Sequence, residues 1–190
     1  GVDKTTVFND MLGYYYSKEN CFEKIIEKYN LSMAKSNFIH LYRNHKPNLV
    51  LSPDRLEVLN YIKEAGIPMC VLTDGRSVQQ RNKIKALGIE EYFNEVIISE
   101  EFGSEKPHIN NFEFFETTFG NAQYYYIGDN VKKDFITPNR LNWITICLKD
   151  KGLNVHSQNL KLDSQDLYMP KHAIDNFLEI IDVVNTIKLC

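Results

Sequence analysis

Three short segments carry residue types that could together hold a phosphate and a divalent cation: Thr73-Asp74-Gly75-Arg76-Ser77, Gly103-Ser104-Glu105-Lys106-Pro107, and Gly128-Asp129-Asn130 with Asp134 close behind. A hydroxyl and turn N–H groups suit anionic oxygens, an ammonium supplies charge, and paired carboxylates suit Mg²⁺. Singly, each has a plainer reading. Thr-Asp-Gly commonly opens a helix, a lysine before proline is usually a solvated loop residue, and Gly-Asp-Asn is an ordinary turn. Their weight comes from order and placement. Each segment lies beyond a short apolar run of the kind that forms a buried strand.

Residues 67–73 (IPMCVLT), almost wholly apolar, read as a strand covered on both faces, and 95–98 (EVII), 123–127 and 143–148 read as further strands. Between them lie helical patterns: 54–65 with Leu56, Leu59 and Ile62, closed by Gly66; 77–87, closed by Gly88; Phe112, Phe115 and Phe119; and 131–140. A last helix uses Ile174, Phe177, Leu178, Ile181 and Val184. Strands alternating with helices imply a parallel sheet with crossover helices. In such a sheet, ligands bind beyond the carboxyl ends of the strands, where the three segments fall.

The first fifty residues differ in texture. Phe8, Met11, Leu12 and Tyr15, then Phe22, Ile25, Ile26 and Tyr29, then Phe38, Leu41 and Tyr42 mark three helices, with Asn20 and Ser36 as expected N-caps. The expected architecture is α/β: a three-layer αβα Rossmann-like parallel sheet over residues 51–190, preceded by a helical unit over 1–50. The polar stretch 149–170 reads as a surface excursion.

Composition narrows the function classes. The 190 residues include 22 Lys+Arg against 25 Asp+Glu, a net charge of -3, so no basic face for nucleic acid is expected. Apolar runs are too short to span a bilayer, and no signal-peptide pattern opens the chain. The four cysteines form no Cys-x-x-Cys pair, and two of them, Cys70 and Cys147, sit in strand-like runs. Reduced structural thiols in a cytoplasmic protein are expected. Neither Gly-x-Gly-x-x-Gly nor a Walker loop is present. A receiver domain, which also uses Asp, Thr and Lys at strand ends, fits this order poorly.

Taken in sequence, Val71-Leu72-Thr73-Asp74-Gly75, then Lys106-Pro107 leading to Phe112, then Tyr126-Ile127-Gly128-Asp129 through Asp134-Phe135 resemble motifs two, three and four of the haloacid dehalogenase-like hydrolases. The resemblance runs from about Pro53 to Leu148. The N-terminal helices resemble part of the helical cap that many members insert after motif one. It implies a phosphatase-type site acting on a small phosphorylated metabolite. Thr73 and the backbone N–H groups of Asp74 and Gly75 would hold phosphoryl oxygens. Lys106 would neutralise nucleophile and phosphate. Asp129 would ligate Mg²⁺, and Asp134 would hold Lys106 or a metal-bound water.

The family's first motif, an apolar strand ending in DxDx(T/V), supplies the nucleophilic Asp and the acid/base Asp, yet the sequence contains no Asp-x-Asp. Asp3-Lys4-Thr5-Thr6-Val7 resembles the DKTGT of cation-pumping ATPases, but no strand-forming run precedes it, and Asp3 is expected near a helix start. In the family that first strand lies between those ending at Thr73 and Ile127. Its absence implies a slot of about two strand spacings, roughly 9.6 Å, whose unpaired backbone groups would cost about 1–3 kcal/mol each if buried. Three outcomes follow: a strand from another chain or copy fills the slot, the flanking strands pair, or the chain is an inactive, N-terminally shortened form of a longer gene product. Shortening is the favoured expectation, with Mg²⁺ weak or absent on this chain alone. The alternative is a non-catalytic phosphate-binding or scaffold module.

The five histidines, at 40, 45, 108, 156 and 172, form no HxxxH or HExxH set. His108 reads as a helix-start residue. Tyr124-Tyr125-Tyr126 reads as core packing, Tyr14-Tyr15-Tyr16 as cap-helix packing, and Arg76 as pairing either a ligand group or a nearby acid.

Overall fold

The computed structural model describes residues 2–152, 154–156, 158 and 166–188. The chain divides into two compact units, residues 1–47 and 48–190.

The first unit holds helices α1 (Lys4–Tyr16), α2 (Cys21–Lys28) and α3 (Lys35–Arg43). Asp3 is the N-cap of α1, its carboxylate accepting the Thr6 N–H at 2.9 Å; Asn20 caps α2 in the same way at 3.3 Å. Ser36, expected as a cap, lies inside α3, which starts after Ala34 without a side-chain cap. The apolar spacing seen in the sequence becomes packing in part: Ile25 is buried and Phe22 meets Phe38 and Tyr42 edge-on, whereas Phe8, Tyr15 and Leu41 are exposed. Asp10 ties α1 to α2 through Lys28 at 2.7 Å and the Tyr29 hydroxyl.

The second unit runs α4 (Pro53–Glu64), β1 (Cys70–Thr73), α5 (Ser77–Leu87), β2 (Glu95–Ile98), α6 (Ser99–Phe102), α7 (Asn110–Phe119), β3 (Tyr125–Gly128), α8 (Ile136–Arg140), β4 (Ile144–Leu148), β5 (His172–Ile174) and α9 (Glu179–Lys188). All strand pairs are parallel. β1 pairs β2 with Thr73 opposite Ile98, while β3, β4 and β5 form a second ladder with Gly128 opposite Cys147.

Among the described residues no strand joins the two ladders. β1 and β3 each have one neighbour, so the flanking strands do not pair with each other. These are the two strands between which the resemblance puts the first strand. Ile127, mid-strand in β3, is 37% exposed, whereas its register partner Ile146 in β4 is fully covered.

Alternation within the strands builds two cores. One face places Ile144 and Ile146 of β4, with Tyr125 of β3, against Val58 of α4 and Ile180 and Val184 of α9. The other gathers Ile97, Phe112, Phe115 and Trp143, packed by Cys70 and Leu72 of β1 and by Tyr124 and Tyr126 of β3. Phe112 of α7 therefore belongs to a layer shared by both ladders. Burying such a side chain stabilises by roughly 1.5–3 kcal/mol.

Several elements differ from the sequence expectations. Ile174 ends β5 rather than opening the last helix, because Lys149 donates its N–H to the Ile174 carbonyl and continues the β4 ladder. The helix expected over 131–140 is confined to 136–140. Residues 131–135 instead turn around the Asp134 carboxylate, which accepts the N–H groups of Asp129 and Asn130. Ser99–Phe102 forms a four-residue helix that was not anticipated. Much of the polar stretch 149–170 lies outside the described residues.

Candidate active site

β1 ends at Thr73, whose hydroxyl donates to Gln80 Oε1 at 3.2 Å. The turn that follows needs Gly75, at φ 135° and with Gln80 so close that a Cβ would lie 2.7 Å from its Nε2. Asp74 links the turn to the next segment. One carboxylate oxygen accepts the Lys106 backbone N–H at 3.0 Å, and the other pairs with Lys133 Nζ at 3.1 Å.

Gly75 donates its N–H to Ser99 Oγ at 2.9 Å. That donor was expected to serve a phosphoryl oxygen; here it is used within the protein, tying the end of β1 to the residue that follows β2. The contribution of Gly75 is the turn itself.

Lys106 precedes a cis proline, Pro107. Its ammonium lies 2.8 Å from Asp134 Oδ1 and 3.1 Å from the Tyr126 hydroxyl. The pair is well shielded, with side chains 13% and 2% exposed for Lys106 and Asp134. A buried carboxylate needs a full set of donors, and Asp134 has one: Oδ2 accepts the N–H groups of Asp129 at 3.1 Å and Asn130 at 2.8 Å. Gly128 makes room for it, since a Cβ there would lie 2.5 Å from Asp134 Oδ2.

A continuous set of contacts therefore joins the three segments. Thr73 adjoins Asp74, Asp74 accepts from Lys106, Lys106 pairs with Asp134, and Asp134 accepts from Asp129. Lys133 adds a second link, bridging Asp74 and Glu105 at 3.1 Å each. Partial burial alone would lower its pKa, but hydrogen bonds to Glu105 and Asp74 outweigh that and raise it. Tyr126 is pushed well above the usual phenol range by burial and by the Asp134 charge.

Magnesium asks for about six oxygen ligands in near-octahedral array. The Asp129 carboxylate is exposed and contacts Asn154 Nδ2 at 2.6 Å. Asp134 has its oxygens directed at Lys106, Tyr126 and two backbone N–H groups. Among the described residues no three His, Cys, Asp or Glu side chains cluster as a metal set. Among the described residues, the acidic pair read from the sequence thus supplies one carboxylate, that of Asp129, free of cationic partners, and these residues alone do not fit a resident Mg²⁺.

Four contributors were not singled out in the sequence: Tyr126 as a polar partner, Lys133, Gln80 and Ser99. Ser99 and Tyr126 had a usable signal, because one follows a strand directly and the other sits two residues before the end of one. Lys133 and Gln80 act through long side chains whose reach no spacing rule encodes. Arg76 pairs with Glu100 at 2.5 Å, and His108 Nδ1 accepts the Asn110 N–H at 3.3 Å, a helix-start contact.

Comparison with known proteins follows the same lines. The family of haloacid dehalogenase-like hydrolases matches residues 9–147. A glyceraldehyde 3-phosphate phosphatase of Methanocaldococcus jannaschii is 30% identical over 182 residues, covering 93% of this chain and 75% of its own. The Methanopyrus kandleri protein of the same name is 33% identical over 135 residues, 70% of this chain and 55% of its own length. In structure, the magnesium-bound HAD-hydrolase YfnB of Bacillus subtilis superposes with a TM-score of 0.68 at 14% identity, covering 95% of this chain and 80% of that one. A HAD phosphatase from Thermococcus onnurineus gives 0.60 at 16% identity, covering 95% and 78%. With the fold, the order of the three segments and these matches in agreement, the chain belongs to the haloacid dehalogenase-like hydrolases.

Proposed function

We propose that this chain carries the phosphate-handling part of a phosphohydrolase acting on a small phosphomonoester. The observation that carries the reading is the shielded Lys106–Asp134 pair, 2.8 Å apart and tied through Asp74 to the end of β1. An ammonium held by a buried carboxylate at the carboxyl ends of parallel strands is a fixed positive pole for an anionic group. Thr73 would turn its hydroxyl from Gln80 toward a phosphoryl oxygen, joined by the Asp74 N–H. The relatives named as glyceraldehyde 3-phosphate phosphatases make three-carbon phosphates the first substrates to assay.

In this reading the attacking carboxylate comes from a strand lying between β1 and β3. It would displace the alcohol to give an aspartyl-phosphate, which water then hydrolyses. The 190 residues contain no Asp-x-Asp, so the chain alone is proposed to be inactive, a shortened form whose helices 1–47 correspond to part of a cap. Asp129 would contribute to a Mg²⁺ site only beside the carboxylate of that strand. The test compares this chain with a version carrying an apolar strand ending in DxDx(T/V), both assayed with a generic phosphomonoester and Mg²⁺. Turnover in the extended protein only, lost in Lys106→Ala, is expected. A folded extended protein without turnover would sink the enzyme reading.

The lack of Asp-x-Asp also favours a second reading, a phosphate-binding module without catalysis. Phosphate binding by the natural full-length protein, with no hydrolysis of any phosphomonoester tried, would select it.

A further inference from the structure

We propose that Tyr126 is a positioning residue for Lys106, holding the ammonium so that a single N–H is left to meet a bound anion. An ammonium has three donors. One goes to Asp134 Oδ1 at 2.8 Å and one to the Tyr126 hydroxyl at 3.1 Å. The hydroxyl in turn lies 3.4 Å from the same Asp134 oxygen, so ammonium, phenol and carboxylate close a triangle.

Neither holder is free to move. Asp134 is fixed by two backbone N–H groups, and the Tyr126 ring is wedged against Phe112, centroids 5.4 Å apart. A lysine side chain is long and rotates freely unless held. With only Asp134 as partner, Nζ could swing about one hydrogen bond. With the phenol as a second, non-collinear acceptor, the direction of the third N–H is set before any ligand arrives, and the ordering cost is met in the fold.

Packing does not explain the hydroxyl. A phenylalanine would meet Phe112 equally well and would keep the ring 5.9 Å from the Lys106 ammonium, so the hydroxyl alone adds the directed acceptor at 3.1 Å. The anion identity rests on the phosphate reading given above; the restraint on Lys106 does not.

The experiment uses the 190-residue chain and its Tyr126→Phe variant. Three quantities are measured: the thermal midpoint, the chemical-shift splitting of the two Lys106 ε-methylene protons, and the dissociation constant for inorganic phosphate from the Lys106 signal. A held side chain keeps the two protons distinct. In Tyr126→Phe the splitting is expected to collapse with little change in Tm, and phosphate binding to weaken by about threefold or more. Phe112→Leu, which loosens the same packing but keeps the hydroxyl, is expected to lower Tm and retain the splitting. An unchanged splitting in Tyr126→Phe, or an equal collapse in Phe112→Leu, overturns the proposal. A wild-type Lys106 signal that ignores phosphate overturns the phosphate reading instead, while the splitting still decides the role of Tyr126.

Discussion

Asp134 anchors the site, since one side chain satisfies a lysine, a phenol and two backbone donors. Replacing it by alanine leaves Lys106 shielded without its counter-charge, which typically costs about 3–5 kcal/mol; urea denaturation of Asp134→Ala should show a loss of that order. Gly128 is required for a different reason. Its φ is unremarkable, but a methyl group would overlap the carboxylate it faces. Gly128→Ala is therefore expected to cost about 2 kcal/mol through overpacking. In the double variant with Asp134→Ala the two losses should be less than additive, because the clash disappears with the carboxylate. Additive losses would show that Gly128 is constrained by something else.

Among the elements, β3 and β4 make the sharpest contrast. Among the described residues, β4 has a strand on each side, whereas β3 is flanked only by β4 and β1 only by β2. Amide hydrogen exchange should accordingly be slowest in β4, with faster exchange at the unpaired edges of β1 and β3. A matching apolar strand, once attached, should slow those edges selectively. β4 also carries Cys147, whose thiol is pushed up from 9.0 to about 11, first by burial and then by the Asp129 and Asp134 charges. A raised pKa favours the protonated, folded form. Its contribution is complete below about pH 9, where the unfolded thiol is still protonated, and is lost as pH rises through about 11. Stability measured against pH should fall across that window, and Cys147→Ala should flatten the fall.

For the molecule as a whole, the division at residues 47 and 48 follows from chain chemistry. Residues 45–52 form neither helix nor strand, and most of them are exposed. A protease of broad specificity, used sparingly, should cut first within this stretch and leave two resistant pieces. Early cutting inside 53–148 would contradict that. With a net charge of -3, any phosphate binding must come from the local pole at Lys106 and Lys133 rather than from the protein's overall field. No helix among the described residues is long and apolar enough to cross a membrane.

The sequence by itself determined the alternation of helix and strand, the rim at which Thr73, Lys106 and Asp129 stand, and the lack of Asp-x-Asp, because these depend on residue type and short-range periodicity. It placed Asp3 near a helix start and Asn20 at an N-cap for the same reason. The rest required distant segments to be brought together. That Asp134 is devoted to Lys106, that Gly75 gives its N–H to Ser99, and that Lys133 bridges two loops are matters of side-chain reach across the fold. The third strand of the second ladder was hidden because His172–Ile174 is short and earns its conformation from pairing with β4. Tyr126 looked like packing because its ring is packing; only the tertiary structure shows its oxygen beside the ammonium, since direction in space is a property that spacing along a chain does not carry.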